Sequence, residues 1–221
     1  MMYAAVLFDM DGLMFDTERL THRAWSQAMA EFGLPAPFEL YLRCVGTSET
    51  GTNAILSAAL GADFPVEALR ARERAQVHQI IAAEGLPLKP GLHALLDALD
   101  VRQMPRAVAS SSHRATIERN LGLTGLAGRF QALAGGDEVA QGKPSPDVFL
   151  LAAARLGVAA RHCLVLEDSE NGVRAASAAG CTVINIPDLK PLPAEAAALT
   201  TAVLPDLHAV SDWLALSTKL S

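Results

Sequence analysis

The chain has few cysteines, few aromatic residues and no excess of positive charge. Its 221 residues include 3 cysteines and 5% aromatic residues, and 24 acidic side chains outnumber 18 basic ones. Cysteines this few and scattered exclude a disulfide framework and a paired-cysteine metal site, and they indicate buried thiols in a reducing cytoplasm. Without a basic stripe to neutralise phosphates, no nucleic-acid partner is expected.

Long apolar runs are missing as well. No apolar stretch reaches the length that spans a membrane, and the first residues lead directly into a strand that ends in charged side chains, unlike a signal peptide. We therefore expect a cytoplasmic protein with no membrane partner. Hydrophobic residues make up 51% of the chain, enough for a core in one or two domains.

Short apolar segments alternate with helical patterns over most of the chain, which predicts an α/β fold with a doubly wound, Rossmann-like parallel sheet. The predicted strands are residues 4–8, 106–109, 132–134, 163–166, 182–186 and 202–204. Helices are predicted over 93–99, 115–121, 147–156 and 171–179, the last three ending at Gly122, Gly157 and Gly180.

One stretch breaks the alternation, because no strand pattern appears between residue 16 and about residue 83. Apolar residues recur every four positions from Leu20 to Phe32, and further helical patterns cover 55–60 and 66–83. This insert is too long for a crossover and predicts a small helical domain at 16–87, with a core domain at 1–15 and 88–221. We expect it to lie over the carboxyl edge of the sheet as a lid, with linkers at 13–16 and 84–91.

Two aspartates directly follow the first predicted strand, in the segment Asp9-Met10-Asp11-Gly12. Successive residues of an extended chain point opposite ways, so Asp9 and Asp11 share one side, and Gly12 permits a turn after them. Open α/β sheets bind their ligands at this edge. Carboxylates so close repel each other unless a cation or a proton lies between them. The pair therefore indicates a divalent metal site, a nucleophile beside a general acid, or both; two solvated aspartates in a turn are the plain alternative.

Three further chain segments carry polar side chains beside predicted strands or helices. Ser110-Ser111-Ser112 follows the strand at 106–109, where hydroxyls and N–H groups either bind an anion or simply cap a helix. Lys143 precedes a helix and is either a solvated lysine or a charge that neutralises an anion near the aspartates. Glu167 and Asp168 follow the strand at 163–166, and a second acidic pair at the same edge predicts a Mg²⁺ site.

These segments together resemble the haloacid dehalogenase-like hydrolases, most closely the branch with β-phosphoglucomutase and small-sugar-phosphate phosphatases. The motifs that carry the resemblance are Asp9-Met10-Asp11-Gly12, Gly142-Lys143-Pro144 and Glu167-Asp168-Ser169. The resemblance implies that the helical insert is the family's cap domain. The implied Mg²⁺ ligands are Asp9, the backbone carbonyls of Met10 and Asp11, Glu167 and Asp168.

The resemblance also implies a two-step phosphoryl transfer. Asp9 is the implied nucleophile that forms an aspartyl-phosphate, and Asp11 the general acid/base. The implied phosphate-binding residues are Ser110, Ser111 and Lys143. The expected substrate is a small phosphorylated metabolite such as a sugar phosphate, and the expected assembly is a monomer or a weak dimer.

The helical insert distinguishes hydrolysis from the alternative, a β-phosphoglucomutase-like isomerase. The mutases often carry a histidine where this chain has Thr21, and an arginine where it has Glu49, whose carboxylate would repel a second phosphate. Both departures favour a phosphatase. Thr17, Glu18 and Glu49 are candidates for binding sugar hydroxyls, or serve only as capping and solvated residues. Elsewhere, Asp188 and Asp206 are interpreted as turn residues.

Overall fold

The computed structural model describes residues 3–47 and 49–217. In chain order the strands are β1 (Ala5–Phe8), β2 (Arg106–Ala109), β3 (Ala132–Ala134), β4 (Cys163–Glu167), β5 (Thr182–Asn185) and β6 (Ala202–Val203). The helices are α1 (Thr17–Glu31), α2 (Phe38–Cys44), α3 (Glu49–Leu60), α4 (Val66–Glu84), α5 (Leu92–Val101), α6 (Arg114–Leu123), α7 (Asp147–Arg155), α8 (Glu170–Ala178), α9 (Ala194–Ala197) and α10 (Leu207–Ser217).

The chain divides into two compact units. The first takes in the chain up to Phe15 and from Pro87 onward, and the second is Asp16–Leu86. The assignment of these units to catalysis and to substrate selection stays a prediction.

The first unit contains one six-stranded parallel sheet with the order β3-β2-β1-β4-β5-β6. The predicted doubly wound α/β fold is confirmed, with strand ends shifted by at most one residue. Alternate residues of the central strands, among them Leu7, Ala107 and Val165, enter one buried cluster with α7 and α8. Because β1 lies between β2 and β4, the residues that follow it are at the middle of the sheet edge.

One predicted helix end is wrong. Gly122 lies inside α6, which continues to Leu123, and the left-handed turn falls at Gly125 with φ of 70°. The Leu126 N–H donates to the Leu121 carbonyl at 2.8 Å across that turn. The helix therefore ends two residues later than predicted, and the left-handed turn lies three residues later.

The second unit is wholly helical. Leu20, Ala24 and Ala28 of α1 are buried, as the four-residue spacing predicts, and α1 packs mainly against α4. Two ion pairs join these helices, Arg72 with Glu31 and Arg23 with Glu84. The short helix α2 has no counterpart among the predicted elements, because seven residues give too brief a periodic pattern. Within the described residues, no helix combines the length and apolarity needed to cross a membrane.

Candidate active site

The chain makes a tight turn immediately after β1. The Asp9 N–H donates to the Leu166 carbonyl at 3.0 Å, and Gly12 turns with φ of 82°. A methyl group built at Gly12 would collide with the Asp168 carboxylate. A side chain at this position would therefore displace one of the candidate ligands, which explains glycine here in addition to its backbone conformation.

Lys143 lies between two carboxylates that are distant in sequence. Its Nζ is 2.5 Å from Asp9 Oδ1 and 2.6 Å from Glu167 Oε1, and all three side chains are almost fully buried. The same Nζ lies 4.8 Å from the ring centre of Phe149, a buried residue of α7. The alternative of a solvated surface lysine does not fit this burial, because Lys143 is 5% exposed.

Three acidic side chains form a compact group of oxygen atoms. One carboxylate oxygen from each of Asp9, Glu167 and Asp168 lies within 4.8 Å of the other two. Such hard oxygen donors suit a divalent cation. Glu167 is held firmly, because its Oε2 accepts the Ser169 N–H at 2.8 Å and hydroxyl at 3.0 Å. A methyl group at Gly172 would collide with the same carboxylate, so this position also keeps space for it. The donor set and the reserved space fit a bound metal ion.

Of the two predicted backbone ligands, the Met10 carbonyl is the less suitable. Its oxygen already accepts the N–H groups of Met14 at 2.9 Å and Phe15 at 3.1 Å within the turn. A carbonyl oxygen has two lone pairs, and both are used here. The Asp11 carbonyl is therefore the backbone candidate that stays.

The carboxylates of this cluster are costly to ionise without a cation. Burial raises the pKa of Asp9 to about 8, with Lys143 opposing and Glu167 adding to the rise. Burial, followed by the charges of Glu167 and Asp9, raises the pKa of Asp168 well above its usual value. Burial opposes the charge of Lys143, yet the two carboxylates outweigh it and raise the lysine pKa. Positive charge at this place would favour the ionised carboxylates.

The three serines after β2 have different positions. Ser110 is 2% exposed and its Oγ accepts the Ser112 N–H at 3.0 Å, while Ser111 is exposed. Ser112 donates its hydroxyl to Asp11 Oδ2 at 2.9 Å. The prediction for this segment did not include that contact. The repeat of serine at every position gave no reason to prefer one over its neighbours, since only the backbone path decides which hydroxyl meets Asp11.

The interpretation of Asp188 as a turn residue is wrong, whereas that of Asp206 holds. The Asp188 side chain is 3% exposed and its Oδ1 accepts a hydrogen bond from Lys89 Nζ at 2.7 Å. Asp206 accepts the Ala209 N–H at 2.9 Å, at the start of α10.

The substrate candidates of the helical unit lie in two places. Thr17 and Glu18 are in the first turn of α1, and Glu49 begins α3. Glu18 Oε2 accepts the Tyr41 hydroxyl at 2.9 Å, and Glu49 forms an exposed ion pair with Arg70 at 3.2 Å. In the described part of the chain, Thr17 Oγ1 is buried without a hydrogen-bond partner.

Four acidic side chains and a lysine lie beside the carboxyl end of β1 in the parallel sheet. This arrangement is typical of an α/β enzyme with a carboxylate–lysine centre. Comparison with known proteins gives the family. The sequence profile of the haloacid dehalogenase-like hydrolases matches residues 3–180, and the chain belongs to that family.

Two relatives whose names give an activity are phosphatases. The fructose-1-phosphate phosphatase YqaB of Escherichia coli is 32% identical over 186 residues, covering 83% of this chain and 96% of that protein. The phosphorylated carbohydrates phosphatase of Thermotoga maritima is 32% identical over 176 residues, covering 80% and 81%. A crystal structure of a putative beta-phosphoglucomutase from Thermotoga maritima superposes with a TM-score of 0.80 at 29% identity, covering 95% and 97%. Family and relatives together make this chain a phosphomonoester hydrolase.

Proposed function

We propose that this protein is a Mg²⁺-dependent phosphatase that hydrolyses a small sugar phosphate or a similar metabolite through an aspartyl-phosphate on Asp9. The observation that carries the proposal is the position of the Asp9 carboxylate. It is in contact with Lys143 and belongs to an acidic group that suits a divalent cation.

The residues that would hold Mg²⁺ are Asp9, Glu167, Asp168 and the Asp11 carbonyl. A bound Mg²⁺ supplies positive charge that polarises the phosphoryl group and favours ionised Asp9. An acidic oxygen donor set with reserved space supports this assignment.

Asp9 attacks phosphorus through a carboxylate oxygen, and the bond from phosphorus to the alcohol oxygen breaks. Lys143 offsets the negative charge that spreads over the equatorial oxygens. Asp11 donates a proton to the departing alkoxide and, in the second step, takes a proton from the water that attacks phosphorus and frees Asp9. The hydroxyl of Ser112 holds the Asp11 carboxylate by the 2.9 Å hydrogen bond.

The phosphate itself is proposed to meet Ser110 and Ser111 at the end of β2. The Ser110 hydroxyl is buried and accepts the Ser112 N–H, which leaves its own hydrogen available to an anion. The Ser111 backbone belongs to the same turn. Both roles follow from the family resemblance and from the position of this turn beside β1 in the sheet.

Hydrolysis is favoured over mutase chemistry by Glu49. Its carboxylate is paired with Arg70, so this position presents a neutralised acidic group rather than a free cation for a second phosphate. The two phosphatase relatives act on phosphorylated sugars by their names, which supports a sugar phosphate as substrate. A cytoplasmic monomer or weak dimer completes the proposal, and the free cysteines are compatible with a reducing compartment.

The test is a panel of phosphomonoesters, including fructose 1-phosphate and glucose 1-phosphate, assayed for phosphate release with Mg²⁺ and with a chelator. We expect Mg²⁺-dependent release that Asp9→Asn abolishes and Asp206→Asn, a matched loss of one carboxylate outside the site, retains. Full activity in Asp9→Asn would contradict the mechanism. Isomer formation from glucose 1-phosphate and a bisphosphate primer, without phosphate release, would establish the mutase instead.

A further inference from the structure

Lys89 and Asp188 form a buried ion pair that the proposed mechanism does not use. Lys89 Nζ lies 2.7 Å from Asp188 Oδ1, and the two side chains are 11% and 3% exposed. Burying two charges is costly even when they are paired, and this pair is far less exposed than an ordinary surface ion pair. The pair therefore calls for an account of what it does at this place.

The backbone fixes Lys89 beside the turn that follows β1. The Lys89 N–H donates to the Met14 carbonyl at 2.9 Å, and Leu88 forms an antiparallel bridge with Phe15. The segment that returns to the sheet unit is thus hydrogen-bonded to the segment that leaves it. This attachment fixes the backbone of Lys89 beside Met14, and the ion pair with Asp188 holds its ammonium group.

Asp188 in turn lies beside the metal candidate Asp168. The space next to Gly12 is bounded by both residues, because a methyl group there would collide with Asp168 Oδ2 and lie 3.3 Å from Asp188 Oδ2. The charge of Asp188 also contributes to the raised pKa of Asp168, after burial and the larger effects of Glu167 and Asp9. Charge on Asp188 is therefore felt at the acidic cluster.

We propose that Asp188 and Lys89 are positioning residues that set the affinity of the Asp9–Glu167–Asp168 site for its divalent cation. The inference rests on the proposed function. Asp188 adds an outer negative charge that attracts the cation, and Lys89 limits that charge and keeps Asp188 from becoming a ligand itself. Since the two charges have opposite signs, removing each one shifts the cation affinity in the opposite direction.

The experiment measures Mn²⁺ binding by electron paramagnetic resonance and Mg²⁺ by competition, without substrate, at one pH and ionic strength. We expect Asp188→Asn to weaken binding about tenfold, because it leaves the lysine charge uncompensated near the cation. Lys89→Met is expected to tighten binding by about threefold or more. The double variant is expected to return to within about threefold of wild type, because it removes both charges. Asp206→Asn is the matched control for loss of one carboxylate in the same unit.

Opposite shifts in the two single variants support the proposal, since a purely structural pair would weaken binding in both. Shifts of the same sign, or none, would overturn it. Circular dichroism verifies folding, and Lys89→Gln and Asp188→Ser carry the same test should either first variant not fold. Failure of the wild type to bind any divalent cation would instead overturn the proposed function, and this inference with it.

Discussion

The burial of Asp9 predicts that its carboxylate lowers the stability of the metal-free protein at pH values above the ordinary pKa of an aspartate. The folded state holds the pKa of Asp9 at about 8, against an ordinary 3.8. An acid whose pKa is raised by folding contributes its full share to the free energy of unfolding at pH values below its unfolded pKa. This contribution is lost as the pH rises to the pKa of the folded state. Asp9→Asn removes the ionisation, so we expect the variant to gain stability relative to wild type between about pH 4 and pH 8.

The size of the effect follows from the same displacement. Moving one pKa from 3.8 to about 8 corresponds to a free energy on the order of 6 kcal/mol, at about 1.4 kcal/mol for each pH unit. The loss of the Lys143 attraction in the variant is already contained in this value, because Lys143 opposes the rise caused by burial.

The assay is urea unfolding of both proteins with chelator present, at several pH values across this range. The free energy of unfolding of Asp9→Asn minus that of wild type should grow steadily with pH. Mg²⁺ should reduce this difference at pH 8, because a cation favours ionised Asp9 and stabilises the wild type. Parallel curves for the two proteins would refute the reasoning, and Asp206→Asn is the matched variant for loss of one carboxylate.

Three further predictions concern individual contacts. Ser112→Ala removes the hydroxyl that donates a hydrogen bond to the Asp11 carboxylate. In steady-state kinetics it should lower kcat about tenfold and change KM by less than about twofold. An unchanged kcat would exclude the proposed role of Ser112 in positioning Asp11. Gly172→Ala places a methyl group against the acidic side chain that ends β4 and should destabilise the protein by about 1–3 kcal/mol and weaken Mg²⁺ binding, whereas Gly128→Ala, with open space around it, should do neither. Hydrogen bonds from an arginine and a backbone N–H lower the pKa of Glu138 to about 2. Glu138→Gln should therefore cost about 1 kcal/mol at pH 7, after allowance for solvent screening, and progressively less as the pH falls from about 4.5 towards 2; a cost independent of pH would contradict this.

The strand-end argument predicted much of the candidate site because it depends only on topology. Once β1 and β4 are recognised as neighbouring parallel strands, Asp9 and the acidic pair Glu167-Asp168 must meet at one edge. The position of Lys143 is less constrained by the pattern, since a loop lysine has many directions. Its placement between Asp9 and Glu167 depends on the loop before α7 and on the ring of Phe149.

What the sequence could not predict depends on the local backbone path or on contacts distant in the chain. Ser112 rather than Ser111 meets Asp11 because of the way the chain turns between β2 and α6. The local sequence around Asp188 is typical of a turn. Its partner Lys89 is 99 positions away, and neither local pattern indicates the ion pair between them. Both contacts escape sequence analysis for one reason: the information lies in tertiary packing and not in periodicity.

The central position of β1 has a consequence for the order in which the protein is made and folded. β1 precedes its partners β2 and β4 by about a hundred residues and more, and Lys143 is separated from Asp9 by 134 positions. The contiguous segment Asp16–Leu86 can meanwhile pack its own helices. β1 is thus synthesised before the two strands that flank it, and it is paired on both sides only after β4 has been made.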